Sequence, residues 1–441
     1  MAPCEWADER GDQVRKKWRP GLDKTWTAFR GYLERRSTSG RLFDTGGARA
    51  RRFAPRRSHR NTQDSRQREY PLVLPEDDLA LDPTYPAQSF RSWLKEPDRN
   101  EVGPTRSVVY VARPPSVSQS VHFMRSWSGS DAHRPSIQHI IDYIKAFYHG
   151  LPVRTLPEQL SFTTWDEGSK TSTAQASKAA TPRYVGINTS SESIRLRTRA
   201  CPDKLYPRQL NSDDLLDAAQ SVLPEDAYAL ILLVEHDLWE GPGDTFICGR
   251  AYGASRIAVV SMARYDPALD ARQGVERVHA WPASHCAAYI QHQCANSSDA
   301  GTVAKKKRKT SKAPAAEPAL AAQGSPLHAA VAAFKENSAD ETDVGLWLSR
   351  VCRTAVHELG HCFGLDHCVY LACAMQGTAS IREDARQPPY LCPVDLAKLL
   401  RATGQTDGGR ARTDALLQFC RSQQQGSSLF AAFAAWLEAG R

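Results

Sequence analysis

The chain has no apolar run approaching the roughly 20 residues needed to cross a bilayer. Its opening stretch, MAPCEWADERGDQVRKKWRP, is charged almost from the start and has no apolar core of the kind a secretory signal requires. The first absence argues against a membrane protein, and the second places the protein in the cytoplasm or nucleus as an expectation. Cysteines cannot all pair within the chain either, because there are eleven of them, and thiols in those compartments stay mostly reduced. A disulfide scaffold is therefore not expected, and clustered cysteines point to metal. Cys368, Cys373 and Cys392 fall near a group of histidines, whereas Cys4, Cys201, Cys248, Cys286, Cys294, Cys352 and Cys420 are scattered and read as small apolar fillers.

Positive charge is not spread evenly. Of 57 Lys and Arg against 49 Asp and Glu, residues 1–70 hold 18 of the basic and 9 of the acidic residues, so the formal charge of +8 belongs to one end. Residues 1–104 mix Arg, Ser, Pro, Gly and Asp without a sustained helical or strand period and read as a largely disordered basic N-terminal region. Such an arm could bind nucleic acid weakly, but no groove-reading motif accompanies it. A second break, residues 297–326, contains Lys305-Lys-Lys-Arg-Lys and reads as a disordered basic insertion, either a nuclear address or a solvated surface run.

Between these breaks, residues 105–441 carry the pattern of a folded domain. Ile137, Ile140, Ile141, Ile144 and Phe147 recur at helical spacing before Gly150. Ile194 to Thr198 alternates as a half-buried strand, Asn211 caps a helix, and Ala229 to Val234 and Ile257 to Tyr265 read as fully buried strands. Helix and strand alternate, so the fold class is α/β or α+β. Ala415 to Phe419 and Leu429 to Leu437 read as two packing helices.

A long helical pattern from Leu346 to Leu365 carries HELGHCFGLDHC, residues 357–368. Positions i and i+4 share a helix face, so His357 and His361 can aim at one ion. Gly364 suits the left-handed turn that ends a helix and could bring His367 to the same ion. Three neutral imidazoles leave a zinc position open for water, as in catalytic sites. Glu358 beside them can accept the proton of a zinc-activated water attacking a peptide carbonyl, as general base. Chance alone gives a bare HExxH in roughly one chain in a hundred of this length, and the added Gly364 and His367 cut that by about a few hundredfold.

Followed by Cys373-Ala-Met375 and Leu391-Cys392-Pro393, this motif resembles the archaemetzincins. The resemblance implies a metzincin-like zincin: a twisted mixed sheet, an active-site helix and a small C-terminal subdomain. It implies catalytic zinc on His357, His361 and His367, with Met375 in the turn beneath the metal, and a second, structural zinc on cysteines. Cys368, Cys373 and Cys392 match that second site, but Asp395 stands where the family has another cysteine. In such folds an edge strand pairs with extended peptide, and Ile257 to Arg264 is the candidate.

The function expected is a zinc metallopeptidase acting on peptide or protein, with aminopeptidase-like cleavage as one form. Asp366, Glu383 and Asp384 are the acids weighed for a substrate amine, and Tyr370 and Tyr390 the hydroxyls weighed for an oxyanion. The alternative is a catalytically silent, zinc-stabilised interaction protein, nuclear if its basic segments act as addresses. Glu358 separates the two, because a scaffold needs histidines but no base beside them. No sequence feature speaks to oligomeric state.

Overall fold

A computed structural model describes residues 71–441 except 72, 75–76, 83, 130–133, 166–181 and 286–324. The basic arm over residues 1–70 and the Lys305 run therefore lie outside the described residues. Among those described, no helix is long and apolar enough to cross a membrane.

Two sheets make a mixed α/β fold. The first contains β1 (Val108–Ala112), β3 (Val153–Thr155), β8 (Ala227–Val234), β10 (Gly249–Tyr252) and β11 (Ile257–Ser261), in the order β10-β11-β8-β1-β3. Its neighbours run parallel except β10, which pairs antiparallel with β11 at the edge. All eight residues of β8 and all five of β11 are buried. A strand covered on both faces has no use for polar alternation, hence the unbroken AYALILLV. The second sheet holds β2 (Ser116–Val117), β4 (Ser161–Thr163), β5 (Tyr184–Asn188), β6 (Ser193–Ala200), β7 (Arg208–Asn211) and β9 (Leu238–Trp239), in the order β2-β4-β5-β6-β7-β9.

Helices pack on the first sheet and on one another. They are α1 (Ile137–Phe147), α2 (Ser212–Ser221), α3 (Pro326–Asn337), α4 (Asp343–Cys362), α5 (Pro393–Ala402), α6 (Arg410–Gln423) and α7 (Ser428–Ala439). Asn211 caps α2 by accepting from the Asp214 amide at 3.2 Å, as its position implied. The central helix α4 lies across β10 and β11 with α1 alongside. It buries Leu346, Val351, Ala355 and Leu359, and each large apolar side chain so buried contributes about 1.5–3 kcal/mol.

Three expectations are corrected. The strand beginning at Ile257 ends at Ser261, and Ala263–Tyr265 forms a turn of 3-10 helix. That strand is not the edge, because β10 covers it. The third correction concerns residues 71–104, which were expected to be largely disordered. They hold short helices at Asp78–Leu81 and Phe90–Leu94, and Trp93 is fully buried.

What anchors this segment is polar as well as apolar. Asp77, fully buried, pairs with Arg386 and accepts from Gln376 at 2.8 Å, and the Ala372 amide donates to the Pro71 carbonyl at 2.9 Å. Removing one member of a buried ion pair costs about 3–5 kcal/mol. Asp77→Ala should therefore lower unfolding free energy by about that amount in urea titration. A loss below about 0.5 kcal/mol, the usual effect at a surface site, would mean that the segment is not docked in solution.

Candidate metal centre

Helix α4 opens with Thr342, whose Oγ1 accepts from the Gly345 amide at 3.0 Å. It closes at Gly364, whose φ of +73° lies in the left-handed region open to glycine. There the Gly364 amide donates to the His361 carbonyl at 2.9 Å and the Leu365 amide to the Gly360 carbonyl at 3.1 Å. This pair of bonds is a Schellman turn, and it reverses the chain toward the helix.

The turn brings His367 beside the two helical histidines. Ring centroids lie 4.8 Å apart for His357 and His361, 5.0 Å for His361 and His367, and 5.3 Å for His357 and His367. His357 Nδ1 lies 2.7 Å from the Ala374 carbonyl, and His361 Nδ1 2.7 Å from the Leu365 carbonyl. A carbonyl only accepts, so both Nδ1 atoms carry hydrogen and both Nε2 atoms of the neutral rings carry lone pairs. Burial keeps the rings neutral: it pushes His357 well below its usual range, His361 down to about 4, and lowers His367. The two Nε2 atoms then face each other at 3.1 Å. Two bare lone pairs at that distance repel unless a cation lies between them. Zinc–nitrogen bonds of about 2.0–2.1 Å give a tetrahedral edge of about 3.3–3.4 Å, close to this separation. The donor set fits zinc.

Glu358 points from α4 toward edge strand β10, where a Cβ on Gly249 would overlap its carboxylate. Burial pushes its carboxyl up to about 8, with Arg250 opposing. Met375 lies beneath the helix, its sulfur against Gly360, where a side chain at 360 would collide with it.

A second cluster adjoins the first through the neighbours His367 and Cys368. Cys368, Cys373, Cys392 and Asp395, all buried, place their ligand atoms within 4.8 Å of one another. Cys368 Sγ and Cys392 Sγ are 3.7 Å apart, and Asp395 Oδ2 lies 3.5 Å from Cys373 Sγ and 3.4 Å from Cys392 Sγ. Tetrahedral zinc with bonds of about 2.3 Å to sulfur and 2.0–2.2 Å to oxygen predicts edges of about 3.8 Å and 3.5 Å. Asp395 Oδ1 accepts from the buried Lys398 ammonium at 2.8 Å. Burial raises the Asp395 carboxyl to about 6.

The acids weighed for a substrate amine are spent internally. Asp366 accepts from Tyr85 at 2.7 Å and from the His367 amide at 2.8 Å. Glu383 accepts from the amides of Asp78 and Ala379, and Asp384 pairs with Arg353 and accepts from Tyr265. Tyr390 stacks on Trp436 with centroids 4.2 Å apart, and Tyr370 is exposed. Four residues near the clusters had no signal in sequence: Gly249, Tyr85, Gln88 and Lys398. Gly249, Tyr85 and Gln88 lie far from the motif in sequence, and Lys398 is a single lysine on the helix that carries Asp395.

Residues 320–401 match the family model described as peptidase family M54. The chain is 24% identical to archaemetzincin-2 of Homo sapiens over 336 residues, 76% of this chain and 70% of that protein. It is 49% identical to archaemetzincin-2 of Mus musculus over 57 residues, 13% of this chain and 16% of that one. Among solved structures it is similar to the archaemetzincin of Methanopyrus kandleri, with a TM-score of 0.32 and 15% identity, covering 68% of this chain and 98% of that one.

An ion that binds only the folded state stabilises it by mass action, by about 4 kcal/mol at a thousandfold excess over its dissociation constant. Adding zinc to chelator-stripped protein should accordingly raise the urea midpoint. An unchanged midpoint would mean that neither donor set takes the ion.

Proposed function

Because this chain belongs to the archaemetzincin family of zinc metallopeptidases, we propose that it hydrolyses peptide bonds with Glu358 as general base at zinc held by His357, His361 and His367. The observation that carries this reading is the place of Glu358. Glu358 directly follows the ligand candidate His357 on α4, and its carboxylate lies against Gly249 of edge strand β10. A scaffold would have no need of an acid there.

When bound, zinc supplies a Lewis acid that polarises a carbonyl and lowers the pKa of a coordinated water toward about 7. The chain's own groups do the rest. Among the described residues β10 has no strand partner on its outer side, so an extended peptide can add as a further strand and bring a carbonyl over Glu358. Gly249 keeps that approach clear of side-chain bulk. Glu358 takes a proton from the attacking water and returns it to the leaving amine. The Ala374 and Leu365 carbonyls hold two of the imidazoles in the tautomer that leaves Nε2 free. An aminopeptidase reading lacks an anchor among Asp366, Glu383 and Asp384, all of which have internal partners.

A second zinc is assigned to Cys368, Cys373, Cys392 and Asp395, with Oδ2 as the oxygen donor and Oδ1 left to Lys398. The match of three separations to tetrahedral edges supports it. Zinc content should be two per chain, falling to one in Cys373→Ser. A single equivalent in both proteins would remove the second site.

Glu358→Ala should keep the zinc and lose about 10²–10⁴-fold in cleavage rate, the usual contribution of a general base. Mass spectrometry of a mixed peptide library reads this and shows whether ends or internal bonds are cut. Zinc-loaded wild type that cuts nothing would turn the assignment to the zinc-stabilised interaction protein.

A further inference from the structure

His357 and His361 are fixed by a rigid helix and by carbonyls of the motif's own loop. His367 is not. It lies beyond the Schellman turn, in a stretch without regular secondary structure. Metal-binding histidines keep their aim only when the ring nitrogen away from the metal has a partner, and here that partner comes from about 280 residues upstream. His367 Nδ1 lies 3.4 Å from the Tyr85 hydroxyl, which donates at 2.7 Å to Asp366 Oδ1. The rings of Tyr85 and His367 lie 5.9 Å apart, tilted by 33°. Asp366 Oδ1 also accepts from the His367 amide at 2.8 Å, closing a loop of three residues.

Gln88, three residues on, holds the backbone of the same turn. Its Nε2 donates to the Gly364 carbonyl at 2.9 Å, and its Oε1 accepts from the Asp366 amide at 3.1 Å. The same Oε1 accepts from Lys398 Nζ at 2.8 Å, and Lys398 in turn holds Asp395. Trp93 Nε1 donates to the Phe363 carbonyl at 2.9 Å. Residues 85–93 thus meet the polar backbone groups of the turn at Phe363, Gly364 and Asp366, and the Gln88 amide links that turn to the lysine that holds Asp395.

We propose that Tyr85 and Gln88 are positioning residues for His367, and that residues 85–93 form a clamp that holds the third imidazole in the metal site. The proposal rests on the zinc reading above but concerns residues outside the motif. Tyr85 orients the ring through Nδ1, and Gln88 fixes the main chain that carries it. A purely structural role would be different: the segment would cover Phe363 and stabilise the fold while leaving the ligand geometry alone.

The test uses the full chain and three variants: Tyr85→Phe, Gln88→Ala, and Thr84→Ala as a control whose side chain bonds to Asp82. Zinc affinity is measured by competition with a chromophoric chelator. The cobalt-substituted protein is examined by visible absorption, where sulfur-to-cobalt charge transfer separates the cysteine-held ion from the histidine-held one. Chelator-stripped protein is unfolded in urea. Tyr85→Phe and Gln88→Ala should each lose about 10–100-fold in affinity at the histidine site and alter its cobalt ligand-field bands, with the stripped protein's midpoint unchanged for Tyr85→Phe. The control should match wild type throughout.

Unchanged affinity and an unchanged cobalt spectrum in Tyr85→Phe would overturn the proposal. So would an affinity loss shared by Thr84→Ala, or one that merely follows a drop in the stripped protein's midpoint. Peptide cleavage by wild type is scored separately. Zinc binding without cleavage sinks the peptidase reading but leaves the clamp measurable, whereas no ion at the histidines sinks both.

Discussion

Two imidazole nitrogens facing each other at 3.1 Å, each with its other nitrogen committed to a carbonyl, form the constraint around which this protein is arranged. Burial removes the option of protonating either ring, and the carbonyls remove the option of rotating the tautomer. The lone pairs must be held together by surrounding structure until a cation joins them. That requirement explains three close approaches of glycine. Gly360 lets the Met375 sulfur lie under the motif, Gly253 lets β10's continuation meet the His361 carbonyl, and Gly249 lets the edge strand meet Glu358. At each point a methyl group would push α4 away from the partner that fixes it.

The second cluster is bound to the first by more than adjacency in sequence. The Cys368 amide donates to the Met375 carbonyl at 2.8 Å, and the Ala374 carbonyl that holds His357 belongs to the same hairpin-like return. A carboxylate at 395 brings two oxygens where a thiolate would bring one sulfur. One oxygen faces the sulfurs, and the other would be a buried acceptor without Lys398. The lysine ammonium is itself buried, which would be costly unless it were paired and hydrogen-bonded. Gln88 supplies a second acceptor, so the lysine that balances the charge of one cluster is bonded to the side chain that pins the turn of the other.

How much of this was legible in sequence follows from where each contact originates. The i and i+4 histidines, the terminating Gly364 and the apolar run of β8 announce themselves, because local periodicity alone places them. The edge of the first sheet differs from the expectation for a physical reason. Ile257-Ala-Val-Val-Ser is the better strand by composition, yet strands apolar on both faces belong inside a sheet, whereas edges are shorter and more polar. Gly249-Arg-Ala-Tyr fits that second description and looks like a turn. Residues 71–104 show no period in sequence because their anchors are single side chains, Asp77, Tyr85, Gln88 and Trp93, separated by proline and polar residues. No period records such a pattern, and its partners lie hundreds of residues away.

That separation bears on how the metal site comes into being. His357 and His361 take their relation from a helix that local bonds can form, but the position of His367 depends on contacts spanning 276 to 282 residues. Closing loops of that length costs chain entropy before any contact rewards it, so such contacts form late and only within a folded framework. A three-histidine site built this way cannot be a property of its motif alone. Its affinity for an ion includes the free energy of docking residues 85–93, just as ion binding in turn favours the docked chain. The twelve-residue motif supplies the donors, and the distant segment decides whether all three point at the same place.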